Sequence, residues 1–168
     1  TGVKKMLKWF YIFLLLILGG ISACNSPSLF IEYRDFEESW PTSEQAIFSM
    51  DSLTDQPVNL MIYIRNNQRY PFSNLFIIAR LKTGDSLFVS DTLEYAMANP
   101  QGAWLGSGFL EVKESKLLWK ENYQLPLVED LNIELEHALR FNGSELGIDA
   151  LEGIVSVGFG VEEQDINE

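Results

Sequence analysis

From residue 46 onward the chain is written with a period of two. Ala46, Phe48 and Met50 alternate with Ile47, Ser49 and Asp51, and Leu60, Ile62 and Ile64 alternate with Met61, Tyr63 and Arg65. Leu75, Ile77, Ala79 and Leu81 continue the pattern opposite Phe76, Ile78, Arg80 and Lys82, and Thr83-Gly84-Asp85-Ser86 then breaks it as a turn before Leu87-Phe88-Val89. Alternation of this kind puts one set of side chains on each face of a half-buried strand, and a turn between two such runs predicts a hairpin. Val155, Val157, Phe159 and Val161 oppose Ser156, Gly158 and Gly160, a glycine density that suits a strand better than a helix interior. Residues 131–139 are ambiguous, because Leu131, Leu135, Ala138 and Leu139 also fit a helical stripe. A strand is the better reading, since Asn142-Gly143 follows as a turn and no capping residue precedes the segment convincingly. Seven or eight short strands separated by Gly, Pro and Asn turns predict an all-β fold, a single antiparallel β-sandwich of jelly-roll or immunoglobulin-like type.

The first residues follow another rule. Lys4, Lys5 and Lys8 precede the apolar run Trp9 to Leu18, and Gly19-Gly20-Ile21-Ser22-Ala23 leads to Cys24, the only cysteine. A basic start, a short apolar core and a small-residue end compose a secretory signal; a spanning helix needs about 20 apolar residues. Ile21-Ser22-Ala23-Cys24 resembles a bacterial lipobox, which implies cleavage between Ala23 and Cys24 and acylation of Cys24. Two or more acyl chains anchor a protein stably where one does not. Asn25-Ser26-Pro27-Ser28 then reads as a polar linker in which a thiol finds nothing to bury it. The expected organisation is a lipoprotein signal peptide over 1–23, lipidated Cys24 with a short linker over 24–30, a β-sandwich domain over 31–162 and an acidic tail over 163–168. Asn25 is not the aspartate that holds enteric lipoproteins at the inner membrane, which points to the outer membrane.

Charge narrows the partners. The chain of 168 residues carries a net charge of −12, and with Lys4, Lys5 and Lys8 set aside the remainder carries −15. Such a body repels phosphate backbones, so no nucleic-acid partner is expected. His137 is the only histidine, which excludes a multi-histidine metal site, and the reading calls for no metal and no cofactor. Gly106-Ser107-Gly108 lacks the leading glycine of a nucleophile elbow and reads as a tight turn or bulge. No catalytic residue is expected, and a single cysteine leaves no intramolecular disulfide framework.

Three stretches go beyond generic strand chemistry: 63–76, with Arg65-Asn66-Asn67 and Tyr70-Pro71-Phe72-Ser73-Asn74-Leu75; 91–121, with Trp104-Leu105-Gly106 followed by Gly108; and 138–162, with Gly147-Ile148, Leu151 and Gly153-Ile154. Together with the lipobox they resemble the gliding motility lipoprotein GldH family of Bacteroidetes-type bacteria. The resemblance implies a non-enzymatic cell-envelope lipoprotein, held to the membrane by acyl chains on Cys24 and working with other gliding-machinery envelope proteins. Arg65, Asn66, Asn67, Tyr70, Phe72, Trp104 and Trp119 are the candidate surface for a partner or ligand, since rings near loops and strand ends stack on ligands or anchor proteins. The same Arg-Asn-Asn and Tyr-Pro residues equally suit a structured turn. A glycan-binding or glycan-cleaving surface module is the alternative, carried by the aromatic rings and the abundant carboxylates.

Overall fold

The computed structural model describes residues 28–108, 110–138 and 148–164, so Ala23, Cys24 and the Asn142-Gly143 turn lie outside the described residues. Within them are ten strands and no helix: β1 (Ser28–Asp35), β2 (Ser39–Pro41), β3 (Ala46–Met50), β4 (Val58–Asn66), β5 (Asn74–Thr83), β6 (Ser86–Ala96), β7 (Lys113–Tyr123), β8 (Leu131–His137), β9 (Ala150–Glu152) and β10 (Ile154–Glu163). Two four-stranded antiparallel sheets, ordered β1-β10-β4-β7 and β3-β8-β5-β6, face each other, and β2-β9 forms a short ribbon. The pairs β5-β6, β4-β7, β3-β8, β2-β9 and β1-β10 are nested about one turn, at Gly84-Asp85 between the paired residues Thr83 and Ser86. A single long hairpin rolled so that β10 also meets β4, and β8 also meets β5, is a jelly roll. Of the two sandwich types expected, the structure therefore has the jelly roll.

The alternating residues do what their period dictates in β3, β5 and β8. Phe48, Leu75, Ile77, Leu81, Ile133 and Leu135 are fully buried between the sheets, each contributing roughly 1.5–3 kcal/mol of transfer free energy. Strand β4 departs from the expectation, because Met61 and Tyr63 on its outer face are buried as well. The cause lies in its neighbour. Gly158 and Gly160 of β10 have no side chain, and the rings of Tyr33 and Tyr63 lie in the vacated space: an added Cβ would sit 2.7 Å from Tyr33 Cδ1 and 2.9 Å from Tyr63 Cε2. The two rings also pack on each other, with centroids 5.7 Å apart.

The chain ends differ from the sequence reading too. Residues 28–30, expected in the linker, already belong to β1, where Phe30 packs against Phe159 at 6.2 Å. Glu163, expected in the acidic tail, pairs with Val58. Beside it Glu162 is buried, with Oε1 accepting from Tyr63 Oη at 2.8 Å and from Lys116 Nζ at 2.8 Å.

The nesting sorts the connections between two ends. Ser28, the β3-β4 and β7-β8 connections and the Gly84-Asp85 turn gather at one end, called proximal; Thr83 Oγ1 donates to the Glu129 carbonyl there, and Ser52 N to that of Val128. The β4-β5 and β6-β7 connections and the turn at Gly153 gather at the other, distal end. The β2-β9 ribbon closes part of that end with Trp40, which is fully buried, donates Nε1–H to the Glu44 carbonyl at 2.7 Å and meets the His137 ring edge-on at 5.2 Å.

Burial holds the His137 imidazole below its ordinary pKa of 6.5, opposed in part by the Trp40 backbone and the charge of Glu136. The folded form is therefore the neutral ring, and the unfolded chain takes up the proton first. Stability is expected to be complete above about pH 6.5 and to fall as the pH drops below it, by no more than about 1.4 kcal/mol per pH unit. The lowered carboxyls of Asp91 and Glu136 add their loss only nearer pH 4. Urea denaturation from pH 7 to 5 should show this slope in the parent protein and a flat profile in His137→Gln; an equal slope in both would assign it elsewhere.

Candidate functional site

The distal end is built from turns whose side chains were singled out by sequence, and most of them hold the backbone. Asn67 Oδ1 accepts from Arg69 N at 2.9 Å and the Asn67 carbonyl from Tyr70 N at 3.3 Å, an Asx-type turn that reverses the chain between β4 and β5. Asn67 N donates to the Gly153 carbonyl at 2.8 Å, so this turn and the β9-β10 turn are fused. Gly153 has φ +79°, and a Cβ there would lie 2.2 Å from Tyr70 N. Only glycine fits both demands.

Tyr70 is 2% exposed, donates its hydroxyl to the Asn74 carbonyl at 2.7 Å, and has its pKa pushed up by burial. Its ring is the hub of a small aromatic cluster, meeting Phe72 edge-on at 5.7 Å and Trp104 at 6.1 Å. Trp104 arrives on the β6-β7 connection, folded by Asn99, whose Oδ1 accepts from Gln101 N at 3.0 Å and Ala103 N at 2.9 Å. That connection is sewn to the β4-β5 loop by Met97 N to the Ser73 carbonyl at 2.8 Å. Beyond Trp104 it doubles back. Ser107 and Glu114 exchange both backbone hydrogen bonds, at 2.9 and 2.7 Å, and Gly106 lies so close to Glu114 that a Cβ would be 2.7 Å from its carbonyl oxygen. The Gly106-Ser107-Gly108 stretch, read from sequence as a tight turn or bulge, is the incoming arm of this reversal, and the chain turns beyond it at Leu110 and Glu111.

The tip of this reversal was not anticipated. Leu110 is 93% exposed at φ +60° and Val112 is exposed, both within the loop that the Ser107-Glu114 bridge closes, while Leu105, 58% exposed, precedes that bridge. A non-glycine residue in the left-handed region costs roughly 1 kcal/mol, and large apolar side chains grouped on one loop mark an interaction surface more often than scattered ones do. The signal available in sequence was faint: Leu105, Leu110 and Val112 stand in a glycine-rich stretch without period.

Arg65 and Trp119 are placed elsewhere. Arg65 lies on the outer face of the β1-β10-β4-β7 sheet, 4.0 Å over the Tyr33 ring, with Nε donating to Glu114 Oε2 at 2.6 Å. Tyr33 donates to the same oxygen at 3.1 Å, and burial together with the Glu114 charge pushes its pKa up to about 12. Asn66 is buried at the end of β4, with Nδ2 on the Asn67 carbonyl at 3.3 Å. Trp119 is a correction. It is 6% exposed, its ring packs edge-on against Phe159 at 6.2 Å, and its Nε1–H is taken by Asp91 Oδ2 at 2.9 Å. An indole so enclosed offers no face to a partner or a sugar, because the irregular register of β7 opposite Leu60 turns it toward the core. Asn66 and Tyr70, equally buried, shape the surface without presenting one. Of the sequence candidates, the structure brings Asn66, Asn67, Tyr70, Phe72 and Trp104 together.

Gly153→Ala is expected to cost about 2 kcal/mol or more, since it combines a forced positive φ with a backbone clash. Thermal unfolding measures this; a loss under about 0.5 kcal/mol would show that the fused turns relax freely.

Comparison with known proteins adds what geometry does not. A family model described as GldH lipoprotein matches residues 28–161. A protein of Christiangramia forsetii named gliding motility lipoprotein GldH homolog is 41% identical over 145 residues, 86% of this chain and 89% of its own length. The gliding motility lipoprotein GldH of Flavobacterium johnsoniae is 37% identical over 144 residues, 85% of this chain and 89% of its own. No solved structure matches. The matched span runs from the first residue of β1 almost to the end of β10, and the chain belongs to the GldH lipoprotein family.

Proposed function

We propose that this protein is a non-enzymatic lipoprotein of the gliding motility apparatus, anchored at the outer membrane through acyl chains on Cys24 and acting by docking other envelope proteins of that machinery on its distal end. Membership of the GldH lipoprotein family and the names of the two relatives support the cellular role. The observation that carries the docking role is the exposure of Leu105, Leu110 and Val112 on one connection, with Leu110 at a left-handed backbone and Trp104 of the same connection packed on Tyr70. Cys24 precedes Ser28 by four residues, a reach of about 14 Å, and β10 alone spans roughly 30 Å. An anchor at Cys24 therefore puts the proximal end against the bilayer and leaves the distal loops to meet proteins rather than lipid. The anchor supplies position, the jelly roll supplies a stiff spacer, and the distal loops supply contact.

The test is complementation of a deletion in a gliding host. Leu105→Asp/Leu110→Asp should abolish colony spreading while fatty-acid labelling and protein level stay normal, whereas Cys24→Ala should abolish labelling itself. Normal spreading by the double variant would remove the distal end from the function, and labelling of Cys24→Ala would remove the anchor.

A further inference from the structure

A two-sheet sandwich leaves four strand edges open, and proteins ordinarily blunt such edges with lysine, proline, irregular register or shortness. Three of the edges here are blunted. Strand β7 carries Lys113, Lys116 and Lys120 and an irregular register opposite Val58 to Met61. Strand β1 carries Glu32, Arg34 and Asp35 and a register shift between Ser28 and Phe30. Strand β3 has five residues. The fourth edge, β6, is the least protected among the described residues: its one register shift falls between Leu87 and Val89 and its only charges are the acidic Asp91 and Glu94, while over eleven residues it has no Lys, Arg or Pro and its pairing with β5 is regular from Val89 to Ala96.

The surroundings of β6 are prepared in a further respect. Val89, Leu93 and Tyr95 point between the sheets yet stay half-exposed, because β6 and β7 are not paired through their backbones. The seam between them is held at a fixed width by side chains alone. Tyr95 Oη donates to the Leu118 carbonyl at 2.9 Å, and Asp91 Oδ2 accepts from Trp119 Nε1 at 2.9 Å and Lys120 Nζ at 2.8 Å. Leu118 is exposed on the far side of the seam.

We propose that the free edge of β6 receives an extended segment of another protein, paired as an added strand, with alternate apolar side chains entering the β6-β7 seam and basic residues outside it. Main-chain pairing with pockets for alternate side chains is the established logic of strand addition. The basic character follows from charge: residues 84–98 contain Asp85, Asp91 and Glu94 and no Lys or Arg, and only Asp91 is neutralised by a lysine. A second copy of this chain is the poorer occupant. Antiparallel pairing of two β6 strands about a two-fold axis turns one copy end for end, which puts its proximal end roughly 30 Å from that of its partner. One bilayer cannot then hold both Cys24 anchors on upright sandwiches, and both bodies carry the same strong negative charge. That exclusion rests on the anchor reading given above, while the pairing experiment does not.

The test uses the full-length lipidated protein in detergent micelles and a short synthetic peptide of alternating valine and threonine with lysine at each end. Hydrogen exchange of the β6 amides should slow by about tenfold at a peptide concentration ten times its dissociation constant. The protection should vanish with a peptide N-methylated along its pairing edge, weaken with glutamate in place of the terminal lysines, and weaken in Thr92→Lys, whose side chain leaves the exposed outer face of β6. No slowing at millimolar peptide would overturn the proposal, as would protection centred on β1 or β3. Self-association abolished by Thr92→Lys would also overturn it, giving the edge to a second copy.

Discussion

Nesting of every strand pair about the Gly84-Asp85 turn decides which parts of this chain can meet. Because β5 must pair with β6, β4 with β7, β3 with β8 and β1 with β10, residues 28 and 162, far apart in sequence, become neighbours, and the loops are sorted to two ends without any choice left to them. Most of the pairing is therefore long-range, and contacts of this kind form late and slowly in folding. The same constraint explains why the two inner strands of the first sheet are the most deeply buried: β4 and β10 are enclosed by neighbours on both sides and by tyrosine rings on the outer face.

That outer face shows how a sandwich covers itself where it has no third layer. Gly158 and Gly160 weaken β10 as isolated strand residues, and Tyr33 and Tyr63 repay the loss by lying across them. Their hydroxyls are then satisfied by Glu114 and Glu162, and those carboxylates by Arg65 and Lys116. Arg65, chosen from sequence as a contact residue, is spent on this internal network. At the distal end an aromatic hub packs the loops together, and Leu105, Leu110 and Val112 stand exposed beside it.

How much of this was legible in the sequence follows from solvent exposure. Strands β3 and β5 bury one face and wet the other, so their period of two was plain, whereas Leu135, Ala138 and Leu139 gave β8 a helical stripe as well. The period of β4 was equally plain and misleading, since Met61 and Tyr63 sit under cover that only the pairing with β10 reveals. Edge strands β1 and β7 mix polar and apolar residues on both faces and gave no signal, and β6 was traced only through Val89 although it runs to Ala96. Asn66-Asn67 and Tyr70-Pro71 spoke through turn chemistry. Trp119 did not: an aromatic residue near a strand end looks like a surface platform until its indole N–H is found on Asp91. The exposed tip at Leu105, Leu110 and Val112 was hidden because apolar residues in a sequence are read as core unless a fold denies them one. Family resemblance was the most direct guide to the cellular role, and it said nothing of which end of the molecule performs it.

The central claim is one of orientation: a stiff jelly roll, held at its proximal end, presents its distal loops away from the bilayer. Fluorophores attached at Asp85→Cys and at Leu110→Cys of the lipidated protein in vesicles, read against quenchers on lipid headgroups, measure this directly. The account predicts strong quenching at position 85 and almost none at position 110, about 30 Å farther out. Equal quenching at both positions, or stronger quenching at 110, would contradict it.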